Sequence, residues 1–209
     1  MDFTLPPIYP ITDKSLAHRT SHFSILKELV CGGAQLVQIR DKSTPDRELL
    51  TDLRQCVEFA LKNDVTLIIN DRCDLVLSSS AMGVHLGQED LPPEAARAVL
   101  GEEKIIGFST HSLGQVKKSM RLPIQYIGFG PIYPTATKAN SNPEVGLKHL
   151  AQICRISSVP VVAIGGIGTN QVRDVLNAGA SSVAVISALM KAEDLAQQMK
   201  RFLEIAMEK

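Results

Sequence analysis

The chain of 209 residues has no net charge, because lysine and arginine together number 22 and so do aspartate and glutamate. So balanced a chain has no global electrostatic reason to bind nucleic acid or an anionic membrane, and any anion site must be built locally. No apolar run reaches the roughly 18 to 20 residues that a bilayer crossing takes. The first residues, with Asp2 and Pro6-Pro7, lack the basic and apolar regions of a secretory signal. Cysteine is sparse and scattered: Cys31, Cys56, Cys73 and Cys154 show no close pair and no metal-ligand spacing. Together these absences predict a cytoplasmic protein with reduced, mostly structural thiols, and neither nucleic acid nor membrane as partner. Serine-hydrolase chemistry is disfavoured, since no Ser/His/Asp order or nucleophile-elbow glycine pattern occurs. No linker, low-complexity tract or charge block interrupts the sequence, which predicts one domain over residues 1–209.

What the sequence does have is alternation. Short β-branched runs at Ile8–Thr12, Ala34–Ile39, Thr66–Asn70, Gly83–Leu86, Lys104–Phe108, Ile124–Phe129, Pro160–Ile164 and Ser182–Ile186 read as strands. Between them apolar residues recur at helical spacing, most clearly over Ser24–Cys31, Asp46–Leu61, Pro93–Leu100, Leu147–Ile156, Thr169–Ala178 and Ala192–Met207. Strands separated by helices form a parallel sheet, because parallel neighbours need a crossover. Eight such units of about 26 residues predict an α/β fold of the closed (β/α)8 TIM-barrel kind, at the short end of its range. An open doubly wound sheet is the runner-up. It fits less well, since no Gly-x-Gly-x-x-Gly follows the first strand and polar signals recur at many strand ends.

In such a barrel the residues just after each strand share one face, which carries the chemistry. After the second strand, Gln38, Arg40 and Lys42 alternate and so point the same way, as suits a diphosphate beside a hydrogen-bonding ring. After the third come Asn70 and Asp71, and after the fourth Asp90. Each can cap the next helix, but two carboxylates on neighbouring strand ends beside a diphosphate clamp also suit Mg²⁺. Ser109, after the fifth strand, can donate to an anion, and His111 reads as a helix-entry residue. After the sixth, Gly128 to Lys138 combines glycines, prolines, the hydroxyls of Thr135 and Thr137 and the ammonium of Lys138, a set that an anionic ligand needs. Gly165-Gly166 after the seventh strand and Ile186-Ser187 after the eighth occupy the usual phosphate site of a barrel.

Six of these motifs stand together, in order. They are Gln38-x-Arg40-x-Lys42, Ile69-Asn70-Asp71, His85-Leu86-Gly87-Gln88-x-Asp90, Gly107-x-Ser109-Thr110-His111, Gly128-x-Gly130-Pro131-Ile132-x-Pro134-Thr135-x-Thr137-Lys138 and Ala163-Ile164-Gly165-Gly166-Ile167. The set, from about Tyr9 to Met190, resembles the thiamine phosphate synthase family. The resemblance implies a dissociative transfer of a pyrimidine-methyl group from its diphosphate to a thiazole phosphate, with Mg²⁺ as cofactor and small molecules as the partners. It implies Arg40, Lys42, Asn70 and Lys138 on the diphosphate, Asp71 and Asp90 on the metal, Gln38 on the pyrimidine and Ser109 near the leaving group. Thr135, Thr137, Gly165, Ile186 and Ser187 would cradle the thiazole phosphate. Ala136 and Ala139 stand where the family commonly has proline, and Pro123-Ile124-Gln125 replaces its usual Gly-Ala-Asp. A related thiazole tautomerase would share the cradle without the clamp, and a non-catalytic thiamine-phosphate-binding module would have no use for two metal carboxylates. Nothing in the sequence decides between a monomer and a homo-oligomer.

Overall fold

A computed structural model describes residues 3–135 and 143–208. Its eight strands are β1 (Ile8–Pro10), β2 (Leu36–Ile39), β3 (Thr66–Asn70), β4 (Gly83–Leu86), β5 (Ile105–Thr110), β6 (Tyr126–Phe129), β7 (Val161–Ile164) and β8 (Ser182–Val185). They pair in parallel in the order β1-β8-β7-β6-β5-β4-β3-β2. The ring is closed between β1 and β2 by a parallel bridge of Ile11 to Gln38, where the Thr12 N–H donates to the Gln38 carbonyl at 2.8 Å. The expected TIM barrel is therefore present, with every strand end on the same face.

The strands are apolar on both sides because both sides are covered. Outside, a continuous layer runs from Ile25, Leu29 and Leu53 to Val175, Met199 and Phe202, joining the sheet to its helices. Inside, a separate cluster of Tyr9, Ile11, Leu36, Ile68, Tyr126, Val162 and Ala184 fills the barrel. Two of the chain's three tyrosines thus lie at its centre, 6.0 Å apart and edge to face. Glycine makes the room for them. A Cβ on Gly107 would stand 2.1 Å from Tyr126 Cζ and 2.6 Å from His85 Nδ1.

The larger helices fall where the apolar spacing predicts. They are Asp46–Lys62, Pro93–Leu100, Gly146–Ile156 and Leu195–Met207, together with His22–Cys31, whose start is capped by Ser21. Four further helices, Lys14–Ala17, Cys73–Ser79, Leu113–Ser119 and Ser187–Met190, are too short to show two full turns of periodicity. The single helix expected over Thr169–Ala178 is a 3₁₀ turn at Thr169–Gln171 followed by Val172–Asn177. Strand β5 runs two residues past its expected end, so Ser109 and Thr110 are strand residues and not loop residues.

The end of the barrel away from the strand C-termini is tied by Arg97, whose guanidinium donates to the carbonyls of Gly101, Glu102, Lys104 and Pro123 and to Gln125 Oε1. Gln125 Oε1 also accepts from the Ile106 N–H at 2.7 Å, so the departure at Pro123-Ile124-Gln125 serves the frame, far from the mouth. Replacement Gly107→Ala should destabilise the barrel by about 2 kcal/mol, the usual cost of overpacking a filled interior. The urea midpoint of the variant checks this, and an unchanged midpoint would mean that Tyr126 gives way freely.

Candidate active site

The second strand end carries the first cations. Arg40 follows β2, its backbone N–H bonded to the Thr12 hydroxyl at 3.2 Å and its guanidinium to Asp13 Oδ2 at 3.3 Å. Asp13 is itself fixed, since its other oxygen caps the helix Lys14–Ala17 through the N–H groups of Ser15 and Leu16. The loop that follows hangs on Asp41, whose side chain is only 3% exposed. Its carboxylate accepts from the N–H groups of Ser43 and Thr44, from the Thr44 hydroxyl, from His22 and from Lys14. Burial alone would raise this carboxyl, but the bonds from Thr44, Ser43 and His22 outweigh it and hold it far below the ordinary range.

His22 completes that anchor. Fully buried, it meets the Thr12 hydroxyl at Nδ1 (2.8 Å) and Asp41 at Nε2 (2.9 Å). With Nε2–H donating to Asp41, the Thr12 hydroxyl donates to Nδ1 and the imidazole is neutral. Burial keeps it so by pushing its pKa down, although the Asp41 carboxylate pulls the other way. Thr12, Asp13, Lys14, His22 and Asp41 were invisible as site residues in the sequence. One signal was available: Thr12-Asp13 follows β1 as Arg40 follows β2.

Lys42 reaches out of this loop with its side chain 59% exposed and forms an ion pair with Asp71. Asn70 ends β3 in register with His85, and Asp71 follows in a left-handed conformation (φ 62°), its N–H bonded to the His85 carbonyl. Neither residue caps the next helix, whose N-cap is Arg72 with no side-chain bond. Asp90 is no helix cap either. Its Oδ2 accepts from the Gly87 N–H at 2.6 Å, and the helix after it starts at Pro93 behind Pro92. The Asp90 carboxyl is pushed up by burial and by the adjacent Asp71 carboxylate, with Lys42 pulling it down. Two carboxylates and one ammonium therefore meet where the third and fourth strands end.

Gln38 is buried on the inner face of β2, with Nε2 donating to the Tyr9 hydroxyl at 3.0 Å. Ser109 lies on the inner face of β5, 2.8 Å from His85 Nε2. His111 ties the loop after β6, its Nδ1 meeting the Gly130 carbonyl at 2.7 Å. That loop is stapled to the next one, since Ile132 and Tyr133 donate N–H bonds to the carbonyls of Ile164 and Gly165. Gly165 and Gly166 have positive φ (102° and 64°), and a Cβ on either would strike Pro131, Tyr133 or Pro134 within 2.8 Å. Both therefore have to be glycine. Thr135 is half-buried beside them; Thr137 and Lys138, with Ala136 and Ala139, lie outside the described residues. Ile186 and Ser187 open the short helix after β8, whose first N–H groups have no acceptor within the helix.

The candidate residues thus form two groups on one face, a charged one at the second to fourth strand ends and a glycine-lined one at the sixth to eighth. Among the described residues no three His, Cys, Asp or Glu side chains are gathered to hold a metal ion, and no helix is long and apolar enough to cross a membrane. A divalent ion between Asp71 and Asp90 would then need ligand oxygens beside the two carboxylates, as Mg²⁺ commonly has.

A neutral His22 in the fold makes stability depend on pH with a definite sign. Its folded pKa is depressed, so as the pH falls below about 6.5 the unfolded chain takes up a proton that the native chain refuses. Asp41, also depressed, adds a second loss below about pH 4. Replacing His22 by Gln should flatten the fall in unfolding free energy between pH 7 and 5, by up to about 1.4 kcal/mol per pH unit. Urea midpoints at pH 5, 6 and 7 for both proteins check it, and equal slopes would refute the neutral imidazole.

Comparison with known proteins gives one answer. Residues 8–189 match the family model described as thiamine monophosphate synthase. A thiamine-phosphate synthase of Koribacter versatilis is 43% identical over 208 residues, covering 96% of each chain. One from Persephonella marina is 39% identical over 205 residues, covering 98% of this chain and 96% of its own. Among solved structures, a thiamine phosphate pyrophosphorylase from Pyrococcus furiosus superposes with a TM-score of 0.87 at 34% identity, covering 96% of this chain and 95% of its own.

Proposed function

The chain belongs to the thiamine monophosphate synthase family, and on that footing we propose how its own residues carry out the coupling. It is a transferase that joins 4-amino-5-hydroxymethyl-2-methylpyrimidine diphosphate to 4-methyl-5-(2-hydroxyethyl)thiazole phosphate, giving thiamine phosphate and diphosphate. The observation that carries the assignment of roles is the meeting of Lys42, Asp71 and Asp90, with Arg40 two residues from Lys42 on the same loop, on the face that also holds the Gly165-Gly166 turn. A tautomerase working on the thiazole phosphate alone would need only the second group.

In this reading Arg40, held by Asp13, and Lys42 bind the diphosphate, joined by Asn70 and Lys138. Two anchored cations stabilise charge that grows as the carbon–oxygen bond breaks, and they need no reorganisation at that moment. Asp71 and Asp90 fit a divalent cation, because the pair concentrates negative charge that Lys42 offsets only in part. Asp71 and Asp90 would hold the Mg²⁺, which would supply further positive charge to the departing diphosphate. Gln38 orients the pyrimidine ring and Ser109 donates to the leaving group. Thr135, Thr137, Gly165, Gly166, Ile186 and Ser187 hold the thiazole phosphate, so its ring nitrogen faces the carbon that the diphosphate leaves. No protein nucleophile is required. We read the protein as cytoplasmic, as one domain over residues 1–209 and as acting on small molecules only.

The reaction is tested by mixing the protein with both substrates and Mg²⁺ and following thiamine phosphate as fluorescent thiochrome. Product should need both substrates and vanish with a chelator; folded protein that binds the thiazole phosphate yet forms no product would refute the coupling. Asp71→Ala should lower kcat by at least about 10²-fold and shift the magnesium dependence to higher concentration. An unchanged magnesium titration would remove Asp71 from the metal.

A further inference from the structure

One network in the barrel interior joins two of the residues assigned above through three side chains that have no role there. Gln38 Nε2 lies 3.0 Å from the Tyr9 hydroxyl, which lies 2.9 Å from the Tyr126 hydroxyl. The Tyr126 hydroxyl is 3.0 Å from His85 Nδ1, and His85 Nε2 is 2.8 Å from Ser109 Oγ. Five side chains from β1, β2, β4, β5 and β6 therefore form one unbroken series across the interior. Its two ends are the residues assigned to the pyrimidine ring and to the leaving group. The series is built into the sheet. His85, Gly107 and Tyr126 stand in register on adjacent strands, and the missing Cβ of Gly107 is what lets Tyr126 and His85 meet. The His85 and Tyr126 rings stack at 5.5 Å.

Each phenol has one proton to give. Tyr9 and Tyr126 are both fully buried, and burial strongly opposes ionising either of them. A change of direction part-way along would set two protons, or none, in one contact of about 3 Å, or leave a buried hydroxyl proton with no acceptor, at a cost that burial magnifies. All the bonds must therefore run one way. We infer that Tyr9, Tyr126 and His85 are positioning residues, forming a directional chain that couples the amide orientation of Gln38 to the hydroxyl proton of Ser109. The inference rests on the roles proposed above for Gln38 and Ser109.

The direction follows from the amide. With Nε2 on Tyr9, Gln38 donates to Tyr9, Tyr9 to Tyr126 and Tyr126 to His85 Nδ1. His85 is then the Nε2–H tautomer and donates to Ser109, whose own proton is left for the mouth of the barrel. Gln38 Oε1 is at the same time left as an acceptor for the ring's amino group. An amino group on the pyrimidine and a proton for the departing diphosphate thus belong to one arrangement. A ring that offers an acceptor to Gln38 would turn the amide, reverse every bond and leave the Ser109 proton on His85. The chain is in this way a device for substrate choice as well as for positioning.

Two measurements test it. In the full chain labelled with ¹⁵N-histidine, with the resonance assigned by its loss in His85→Gln, Nδ1 of His85 should be bare and Nε2 protonated. A protonated Nδ1 would overturn the direction. In kinetics, Tyr126→Phe should lower kcat about tenfold, the scale of one hydrogen bond, with KM for the thiazole phosphate unchanged. The same change made in a Ser109→Ala background should cost about twofold or less, because Tyr126 acts through Ser109. Full additivity of the two losses would overturn the coupling. Should the wild-type protein form no product at all, the synthase reading fails, while the tautomer still tests the chain.

Discussion

A narrow barrel of eight short strands has little interior, and the way this chain fills it sets the terms for everything at the mouth. Most of the strands contribute aliphatic side chains, but β1 and β6 send in phenols, and a buried phenol must find partners for its hydroxyl. The partners are polar groups one layer higher, Gln38 and His85, so the core is polar where it meets the site. Gly107 is the concession that makes the arrangement fit. The packing of the interior and the placement of the reacting groups are therefore one problem, solved by the same side chains.

The charged half of the site is held in a different manner. Its cations, Arg40 and Lys42, sit on a loop whose form is set by the buried carboxylate of Asp41, with His22 behind it and Asp13 on the flank. A loop so fixed can hold two positive charges near each other before any anion arrives. The glycine half is organised by backbone alone, since the turn at Gly165-Gly166 can lie against the Pro131–Pro134 segment only without side chains. Preorganisation is thus electrostatic on one side and steric on the other.

Much of this was legible in the sequence, because a barrel repeats one unit and its site residues follow strands. Alternation singled out Gln38, Arg40 and Lys42, and the strand-end rule Asn70 and Asp71, and all five lie in, at or just after the ends of β2 and β3. The short helices were not legible, since a helix of four to seven residues carries too little periodicity. The supporting residues were hidden for another reason. His22 and Asp41 owe their importance to a contact 19 positions apart, and Tyr9 and Tyr126 to one 117 apart. No local pattern encodes such pairs. Asp71 and Asp90 also show the limit of local rules: a carboxylate ahead of a helix commonly caps it, yet here each is turned to other work.

The order of the sheet has a consequence for synthesis of the chain. Strand β1 is made well before its neighbour β8, with Val183 bonded across to the Pro7 carbonyl. The ring therefore cannot close until β8, the last of its strands, has left the ribosome. Until then β1 is held on one flank only, by the bridge to β2, and its other edge is open to any strand that passes. The contacts that complete the native state are the most distant in sequence, which slows the final step. The longest wait in the nascent barrel thus falls on the edge of β1 that faces β8.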